Sequence, residues 1–379
     1  MAIQEITPGQ ARERQARGAV LVDVREAHER AGGQAEGSLG IARVQLEMDP
    51  APHLPRRDAE ILLICQGGAR SLLAAQALDA AGYRNLSSVV GGTSRWLAEG
   101  LPVVKPVLDA DEADFNDRYS RHLRLPEVGL EGQRKLEASR VVMIGAGGLG
   151  SPAAFYLAAA GIGHLRIADD DVVDRSNLQR QVLHTDARIG EPKVASAKLT
   201  LNALNPRTRI EAVMERVTAA NVERLLEGVD VVVDGADNFP ARYLLNDACV
   251  KLAKPLVYGA VQRFEGQVSV FDAGRQRGHA PCYRCLFPEP PAPEFAPNCA
   301  EAGVLGVLPG VIGLLQATEV IKLLLGMGEP LVGRLLHFDA LAMRFREMRL
   351  RPDPGCAVCA PDVPFPGYID YQDFCGLGA

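Results

Sequence analysis

The sequence lacks several features that mark whole classes of protein. Its first fifteen residues, MAIQEITPGQARERQ, contain no apolar run of the kind found in a secretory signal peptide, so we expect a cytoplasmic protein. Acidic residues outnumber basic ones by 47 to 41, which disfavours nonspecific binding to nucleic acid or to an acidic membrane. The loop G-x-x-x-x-G-K-[ST] is absent, so any bound ATP must be held without the lysine of that motif.

Long uninterrupted hydrophobic runs are also scarce. The longest apolar stretch covers residues 304–327, but Pro309 interrupts its start. Gln316 and Glu319 lie within the same candidate helix. We therefore predict a buried helix or a dimer-interface helix there, and no membrane span.

With 379 residues, the chain exceeds what one compact core usually holds, and we predict two α/β domains. Residues 1–104 alternate strand-like and helical patterns, which predicts a small parallel sheet covered on both faces. Residues 105–114 shift to acidic and small residues around a proline, and we place a linker there. Residues 115–379 then predict a doubly wound, Rossmann-like sheet that ends in a C-terminal tail.

A hydrophobic strand, a glycine-rich turn and a helix follow one another at residues 140–160. The turn reads G-x-G-x-x-G, and its glycines are Gly145, Gly147, Gly148 and Gly150. Glycines allow close approach to a phosphate, and the helix N-terminus offers free N–H groups. Asp169 ends the next predicted strand, where a carboxylate can accept from ribose hydroxyls. These features alone fit a dinucleotide as well as ATP, so an NAD-dependent oxidoreductase with a structural zinc is one alternative.

The polar residues that follow favour ATP. Phosphoryl chemistry needs fixed cations around the phosphates and a carboxylate for Mg²⁺. Arg180 and Lys193 supply candidate cations, and Asp237, just after a predicted strand, supplies a candidate carboxylate. Asn177 and Asn238 lie in the same two motifs and complete the set of candidate cofactor-binding residues.

The chain has eight cysteines, and four of them form two Cys-x-x-Cys pairs. The pairs are Cys282 with Cys285 and Cys356 with Cys359. Two such turns can close a tetrahedral shell around one Zn²⁺, which leaves no open position for a substrate. The pattern therefore predicts a structural zinc site and disfavours a redox-active pair, which would begin a helix after a strand.

The N-terminal domain carries its own candidate nucleophile. Cys65 follows a strand and begins a C-x4-R loop that leads to Arg70 and a helix. Backbone N–H groups at a helix start lower the pKa of a thiol and hold an anion, so we predict a reactive thiolate at Cys65. Phosphatases need a longer C-x5-R loop. The spacing resembles that of rhodanese, the single-domain sulfurtransferase fold, and the segment LVDVREAHE supports this resemblance.

From about residue 119 onward, the sequence resembles the bacterial branch of the ubiquitin-activating superfamily, including the adenylyltransferases of the molybdopterin-synthase and thiamine pathways. The shared motifs are RYSRHLRLPEVG, GAGGLGS, DDDVVDRSNLQRQ, GEPKV, DGADNFPARYLLND, PCYRCLFP, CAEAGVLG, LLHFDALAMRFREMRL and PGCAVC. The resemblance implies that Asp169 contacts ribose, that Arg180 and Lys193 hold phosphates, and that Asp237 binds the metal. It further implies that Arg121 reaches into the partner's site of a homodimer.

The combined expectation is an enzyme that adenylates the C-terminal glycine of a ubiquitin-like sulfur carrier ending in Gly-Gly. Cys65 then delivers sulfur obtained from thiosulfate or a cysteine desulfurase, and the product is a thiocarboxylate. Cys299 lies where several family members have a cysteine that forms a covalent adduct, and a buried structural thiol is the other interpretation. ATP, Mg²⁺ and Zn²⁺ are the expected cofactors. A noncatalytic scaffold that binds a sulfur carrier is a second alternative, and an adenylyltransferase acting on tRNA is disfavoured by the acidic charge balance.

Overall fold

The structure, a computed structural model, describes residues 3–105, 110–290 and 303–369. The chain forms two compact units, Met1–Leu123 and Arg124–Ala379, which we call the N-terminal unit and the C-terminal unit. The predicted linker, residues 105–114, includes the start of a helix at Ala110.

Short strands and helices alternate in the N-terminal unit. Its strands are β1 (Gln4–Ile6), β2 (Val20–Asp23), β3 (Gln34–Ala35), β4 (Leu39–Gly40), β5 (Glu60–Ile64), β6 (Asn85–Val89) and β7 (Val103–Val104). Its helices are α1 (Pro8–Ala16), α2 (Ala27–Ala31), α3 (Arg43–Met48), α4 (Ala69–Ala80), α5 (Gly92–Ala98) and α6 (Ala110–Arg118). A parallel sheet has the order β1-β6-β5-β2-β4, while β3 pairs with β7.

Both faces of this sheet are buried, which confirms the prediction of a covered parallel sheet. Ile61 and Leu63 of β5 pack in one apolar cluster, whereas Leu62 and Ile64 pack in another. Successive side chains of a strand point to opposite faces, so the continuous apolar run of β5 reflects burial on both sides.

A larger mixed sheet organises the C-terminal unit. Its strands are β8 (Arg140–Ile144), β9 (His164–Ala168), β10 (Arg209–Val213), β11 (Val231–Asp234), β12 (Leu256–Gln262), β13 (Glu265–Phe271), β14 (Arg334–Asp339) and β15 (Arg344–Arg349). Its helices are α7 (Gly129–Ala138), α8 (Gly150–Ala160), α9 (Lys193–Leu204), α10 (Val222–Leu226), α11 (Phe239–Lys251), α12 (Tyr283–Leu286) and α13 (Leu308–Leu325). The strand order is β10-β9-β8-β11-β12-β13-β14-β15.

The first five strands of that order are parallel, as the doubly wound prediction requires. β13, β14 and β15 then extend the sheet in antiparallel fashion, which the sequence analysis did not predict. Because the carboxyl ends of parallel strands meet at one edge, the loops after β8, β9 and β11 gather there.

The longest apolar stretch forms α13, which packs against α8 and against β12 and β13. By length and composition alone α13 could span a membrane, but 50% of it is buried within the described structure. Its polar Gln316 is fully buried and donates to the carbonyl oxygens of Asp234 at 2.7 Å and Val257 at 3.1 Å. The helix is therefore part of the core, as one of the two predicted interpretations requires.

Candidate active sites

The glycine loop joins β8 to α8, and its backbone passes close to the loop after β11. Gly145 has a φ of +103°, and a Cβ there would lie 2.5 Å from the carbonyl oxygen of Gly235. A Cβ on Gly150 would collide with the carbonyl oxygen of Gly145. Gly147 is less crowded, with Gln181 at 3.6 Å. The loop thus presents bare backbone beside the N-terminus of α8, which suits a phosphate group.

Asp169 is fixed at the end of β9 by backbone groups. Its Oδ2 accepts from the N–H of Ala146 at 2.7 Å, and its Oδ1 accepts from the N–H of Asp171 at 2.8 Å. Burial raises the pKa of Asp169, against the charge of Lys193. Each carboxylate oxygen has two lone pairs, so both remain able to accept from a ribose hydroxyl.

Two cations lie near this carboxylate. Lys193 begins α9, is 5% exposed, and places its Nζ 2.7 Å from Oδ2 of Asp171. Arg180 donates through Nη2 to Oδ1 of Asn177 at 2.8 Å. Asn177 therefore orients Arg180 in the described structure. Asn177 is not among the described residues that line the cavity presented below, and its predicted cofactor contact stays a prediction.

Asp237 and Asn238 follow β11 and are both exposed. Asn238 caps α11, because its Oδ1 accepts from the N–H of Ala241 at 3.0 Å. The amide of Asn238 lies 3.4 Å from Oδ1 of Asp237. The cap sets the direction of the turn that carries Asp237, whose carboxylate is left available for a cation.

Most of the predicted nucleotide residues line one cavity of about 610 Å³. The predicted residues that line it are Gly145, Gly147, Gly148, Asp169, Arg180, Lys193, Asp237 and Asn238. The structure thus brings together residues spread over nearly a hundred positions of the chain. A cavity with a glycine loop, two cations and a free carboxylate has the groups needed to bind a nucleoside triphosphate with Mg²⁺.

The sequence analysis assigned no role to a buried ion pair, Asp234 with Arg242, whose arginine lines the cavity. Asp234 is fully buried, and Arg242 lies 3.5 Å from it. Burial raises the pKa of Asp234 to about 6, against the charge of Arg242. Arg242 also donates to the carbonyl oxygens of Ala236 at 3.0 Å and Gly259 at 3.3 Å. Arg242 thereby ties the loop that carries Asp237 to the middle of β12.

The four predicted zinc ligands form one cluster, with all four sulfur atoms within 4.8 Å of one another. The Cys282–Cys356 and Cys285–Cys359 sulfur distances are 3.6 and 3.4 Å. Sulfur atoms at the corners of a tetrahedral zinc site are about 3.8 Å apart. The described cluster fits one Zn²⁺ in a closed shell, as predicted.

The first half of this cluster is anchored to α11. Arg284 donates through Nε and Nη2 to the two carboxylate oxygens of Asp247, both at 2.8 Å. The N–H of Tyr283 donates to Oδ1 of Asn246 at 2.7 Å. Tyr283 also lines the cavity, so the segment between two of the clustered cysteines forms part of its wall.

Cys65 lies at the bottom of the loop between β5 and α4 in the N-terminal unit, and it is 1% exposed. The N–H of Gly68 donates to its sulfur at 3.1 Å. Burial acts to raise the pKa of Cys65, but hydrogen bonds from Ser71, Gly68 and Gly67 outweigh it and lower the pKa below 9.0. These hydrogen bonds are the physical cause of the lowered pKa, which favours the thiolate predicted from the loop spacing.

Arg70 closes the same loop but is already paired. Its Nη1 and Nη2 lie 2.7 Å from the two carboxylate oxygens of Glu29, a partner 41 positions away. The sequence analysis did not identify Glu29 as the partner of Arg70, because nothing in the local spacing relates Glu29 to the loop. Its charge balances that of Arg70 beside the thiol.

Cys299 and Arg121 are the remaining candidate catalytic residues. Cys299 lies outside the described residues. Arg121 is exposed in a turn before the 3₁₀ turn His122–Arg124, and its predicted reach into a partner's site stays a prediction.

Comparisons with known proteins find matches for both parts of the chain. The ThiF family matches residues 119–358, and the rhodanese-like domain matches residues 7–99. The sulfur carrier protein adenylyltransferase of Thermus thermophilus is 52% identical over 262 residues, which are 69% of this chain and 97% of that protein. The SAMP-activating enzyme E1 of Haloferax volcanii is 52% identical over 271 residues, 71% of this chain and 97% of that protein.

A further relative contains both named activities. The adenylyltransferase and sulfurtransferase MOCS3 of Drosophila sechellia is 48% identical over 263 residues, 69% of this chain but only 57% of that protein. Among solved structures, E. coli MccB matches with a TM-score of 0.57 and 21% identity, covering 72% of this chain and 79% of MccB, which shows the shared fold. The chain therefore belongs to the ThiF family and carries a rhodanese-like domain ahead of its ThiF domain.

Proposed function

We propose that this protein uses ATP to adenylate the C-terminal glycine of a small ubiquitin-like sulfur carrier and then converts that carboxylate into a thiocarboxylate. The observation that carries the proposal is the single cavity where the glycine loop, Arg180, Lys193 and Asp237 meet. The printed names of its relatives, a sulfur carrier protein adenylyltransferase and an adenylyltransferase and sulfurtransferase, support both steps.

In the first step, the carrier's carboxylate oxygen attacks the α-phosphorus of ATP and pyrophosphate leaves. The loop backbone at Gly145 and Gly147 binds phosphate oxygens, and Arg180 and Lys193 balance the charge that moves onto the leaving pyrophosphate. Asp169 holds the ribose and fixes the nucleotide along the cavity. Catalysis then comes mainly from position and charge, because both reactants are held in a fixed geometry.

Two metal ions belong to this proposal. Asp237 would hold Mg²⁺, which neutralises phosphate charge when bound. The four cysteines would hold a structural Zn²⁺ that connects the α12 segment to residues 356–359. The chain's own residues prepare both positions, since Arg242 ties down the Asp237 loop and Asp247 binds Arg284.

In the second step, sulfur comes from Cys65. Its thiolate attacks the outer sulfur of thiosulfate or of a desulfurase persulfide, and sulfite or a thiolate leaves. The outer sulfur of the Cys65 persulfide then attacks the acyl-adenylate and displaces AMP. A thiol reductant cleaves the resulting disulfide and releases the thiocarboxylate. A relay through Cys299, a homodimer completed by Arg121 of each partner, and a cytoplasmic location are further parts of the proposal.

The alternative of an NAD-dependent oxidoreductase rested on the glycine loop and Asp169. The named relatives are adenylyltransferases or activating enzymes, and the cavity holds Arg180, Lys193 and Asp237 in addition to the loop. We therefore keep the adenylation proposal as the one that accounts for all of these groups.

The test is mass spectrometry of a carrier ending in Gly-Gly after incubation with the protein, Mg-ATP, thiosulfate and a thiol reductant. We expect a gain of about 16 Da, from exchange of oxygen for sulfur, with the wild type. Cys65→Ala should abolish the gain while leaving pyrophosphate release intact. Asp237→Ala should reduce pyrophosphate release at least about 100-fold while leaving sulfur transfer from thiosulfate to cyanide unchanged.

Asp186→Asn is the matched control, because Asp186 is an exposed aspartate that pairs with Arg175 at 3.2 Å outside the cavity. It should behave as the wild type does. Full carrier activation by Asp237→Ala would contradict the catalytic proposal and favour the noncatalytic scaffold.

A further inference from the structure

His184 is a buried histidine with a partner on each ring nitrogen, and it lies behind the nucleotide cavity. It is 6% exposed and is not among the described residues that line the cavity. Its Nε2 lies 2.9 Å from the carbonyl oxygen of Ala146, inside the glycine loop. Its Nδ1 lies 2.9 Å from Oγ of Ser196, in α9.

The partners assign the tautomer. A carbonyl oxygen only accepts, so Nε2 must carry the proton, and the neutral ring then accepts the hydroxyl proton of Ser196 at Nδ1. Burial lowers the pKa of His184, and the charges of Lys193 and Arg188 act in the same direction, against the hydrogen bond to Ala146. The ring therefore stays neutral at pH 7 and makes both bonds.

The peptide groups of Ala146 are held from two sides. Its N–H donates to Asp169 at 2.7 Å, and its carbonyl oxygen accepts from His184 at 2.9 Å. Ser151 Oγ is a longer second donor to that oxygen, at 3.4 Å. Since Ala146 lies between Gly145 and Gly147, these bonds set the orientation of the backbone that faces a phosphate.

The partner of Nδ1 of His184, Ser196, lies in α9, the helix that begins at Lys193. Ser196 is three residues after Lys193 in α9, and its carbonyl oxygen also accepts from Arg188 at 2.6 Å. His184 thus joins two parts of the phosphate site that are some fifty residues apart in sequence.

We propose that His184 is a positioning residue for nucleotide binding, which fixes the glycine loop relative to the helix that carries Lys193. The inference rests on the proposed adenylation function. It predicts that His184 acts on the binding of ATP, through Ala146, and does not act on the sulfur chemistry of Cys65.

Two amide variants separate the two ring contacts. In His184→Gln, the side-chain amide nitrogen can occupy the place of Nε2 and donate to Ala146. In His184→Asn, the shorter side chain can occupy the place of Nδ1 but leaves the Ala146 carbonyl without this donor. We expect His184→Asn to raise the KM for ATP in ATP–pyrophosphate exchange about tenfold, and His184→Gln to change it less than about threefold. The kcat should fall less than the KM rises.

Two further measurements accompany the kinetics. Calorimetric titration with ATP should show the same difference in Kd between the two variants. The transfer of sulfur from thiosulfate to cyanide should be unchanged in both, which shows that the N-terminal unit is intact. Thermal denaturation identifies any general loss of folding.

The outcomes are distinct. A wild-type protein that does not exchange pyrophosphate would remove the proposed function itself. Wild-type exchange with an unchanged KM and Kd in His184→Asn would overturn only the positioning role. Equal losses in Asn and Gln variants of similar stability would also overturn it, because the donor to Ala146 would then be irrelevant.

Discussion

Arg70 and Glu29 form a doubly hydrogen-bonded ion pair beside the thiol of Cys65, with both nitrogen–oxygen distances at 2.7 Å. The loop spacing predicts Arg70 as a charge that serves the reaction at Cys65. The structure shows that Glu29 balances this charge before any donor arrives. A dianion such as thiosulfate therefore meets an arginine whose attraction is reduced.

The first prediction concerns this pair. Glu29→Gln removes one negative charge next to the loop and should raise kcat/KM for thiosulfate about fivefold. This corresponds to about 1 kcal/mol, the upper end of what one solvent-exposed ion pair contributes. The measurement is the rate of thiocyanate formation from thiosulfate and cyanide. The gain should shrink at high salt, because ions screen exposed charges.

Glu36→Gln is the matched control, since Glu36 pairs with Arg12 at 2.8 Å in the same unit. It should leave the rate unchanged. A loss of rate in Glu29→Gln as large as that in Arg70→Ala would contradict the prediction, because Glu29 would then be needed to hold Arg70 in a working position.

The second prediction concerns the pKa of Cys65. Because hydrogen bonds lower this pKa, the thiolate should persist below pH 9.0 and iodoacetamide should label Cys65 with a pH midpoint below that value. Ser71→Ala removes one of the donors, so the midpoint should move upward. Peptide mass spectrometry after timed labelling measures both profiles.

Ser94→Ala serves as the control, because Ser94, in α5, accepts from Gln66 at 2.8 Å. Its midpoint should equal that of the wild type. An unchanged labelling midpoint in Ser71→Ala would contradict the role of Ser71. The backbone amides of the loop would then account for the lowered pKa of Cys65 by themselves.

The third prediction concerns the cysteine cluster. The purified protein should contain about one zinc per chain, and Cys359→Ser should lose most of it because a closed shell needs all four sulfur ligands. We expect a loss of about 3 kcal/mol in the stability of the C-terminal unit, or about 10 °C in its melting temperature. Elemental analysis and calorimetry measure the two effects.

Cys249→Ser is the comparison, since Cys249 is buried but outside the cluster. It should keep its zinc whatever its effect on stability. A Cys359→Ser protein with full zinc content would show that the four sulfur atoms do not form the site.

The fourth prediction uses two glycines of one loop. Gly145→Ala should destabilise the C-terminal unit by about 2 kcal/mol or more, because φ is +103° and the new Cβ would meet the Gly235 carbonyl. Gly147→Ala should cost less than about 1 kcal/mol, since its nearest neighbour is a side-chain atom at 3.6 Å. Urea denaturation compares the two, and equal losses would contradict the assignment of the close approach to Gly145.

Local spacing was enough to predict where in the strands, loops and helices most of the candidate residues lie. The C-x4-R loop predicted Cys65 at a helix start, and the structure places it between β5 and α4. The run from strand to glycine turn to helix predicted β8, the loop and α8 at almost their observed bounds. These features depend on a few consecutive residues whose backbone geometry is restricted, so the sequence reports them directly.

Contacts between distant segments were not predictable in the same way. Glu265 pairs with Asp339 across β13 and β14. These strands are far apart in the sequence, and no short turn connects one to the other. The sequence analysis accordingly predicted a doubly wound sheet without its antiparallel extension. Arg242 was seen in a motif, but its contact with Gly259 depends on how β11 and β12 lie side by side.

The amino-acid sequence by itself determined which chemical groups this protein has: a thiol on a loop, a glycine turn, two cations, a carboxylate and two cysteine pairs. Tertiary structure alone decided which of them are in contact. It brings Lys193 within hydrogen-bond distance of Asp171, and it pairs Glu29 with Arg70. It also gave His184 its two partners. The physical reason is that hydrogen bonds and ion pairs act over a few ångströms, and only packing of the sheet and helices brings distant residues within that range.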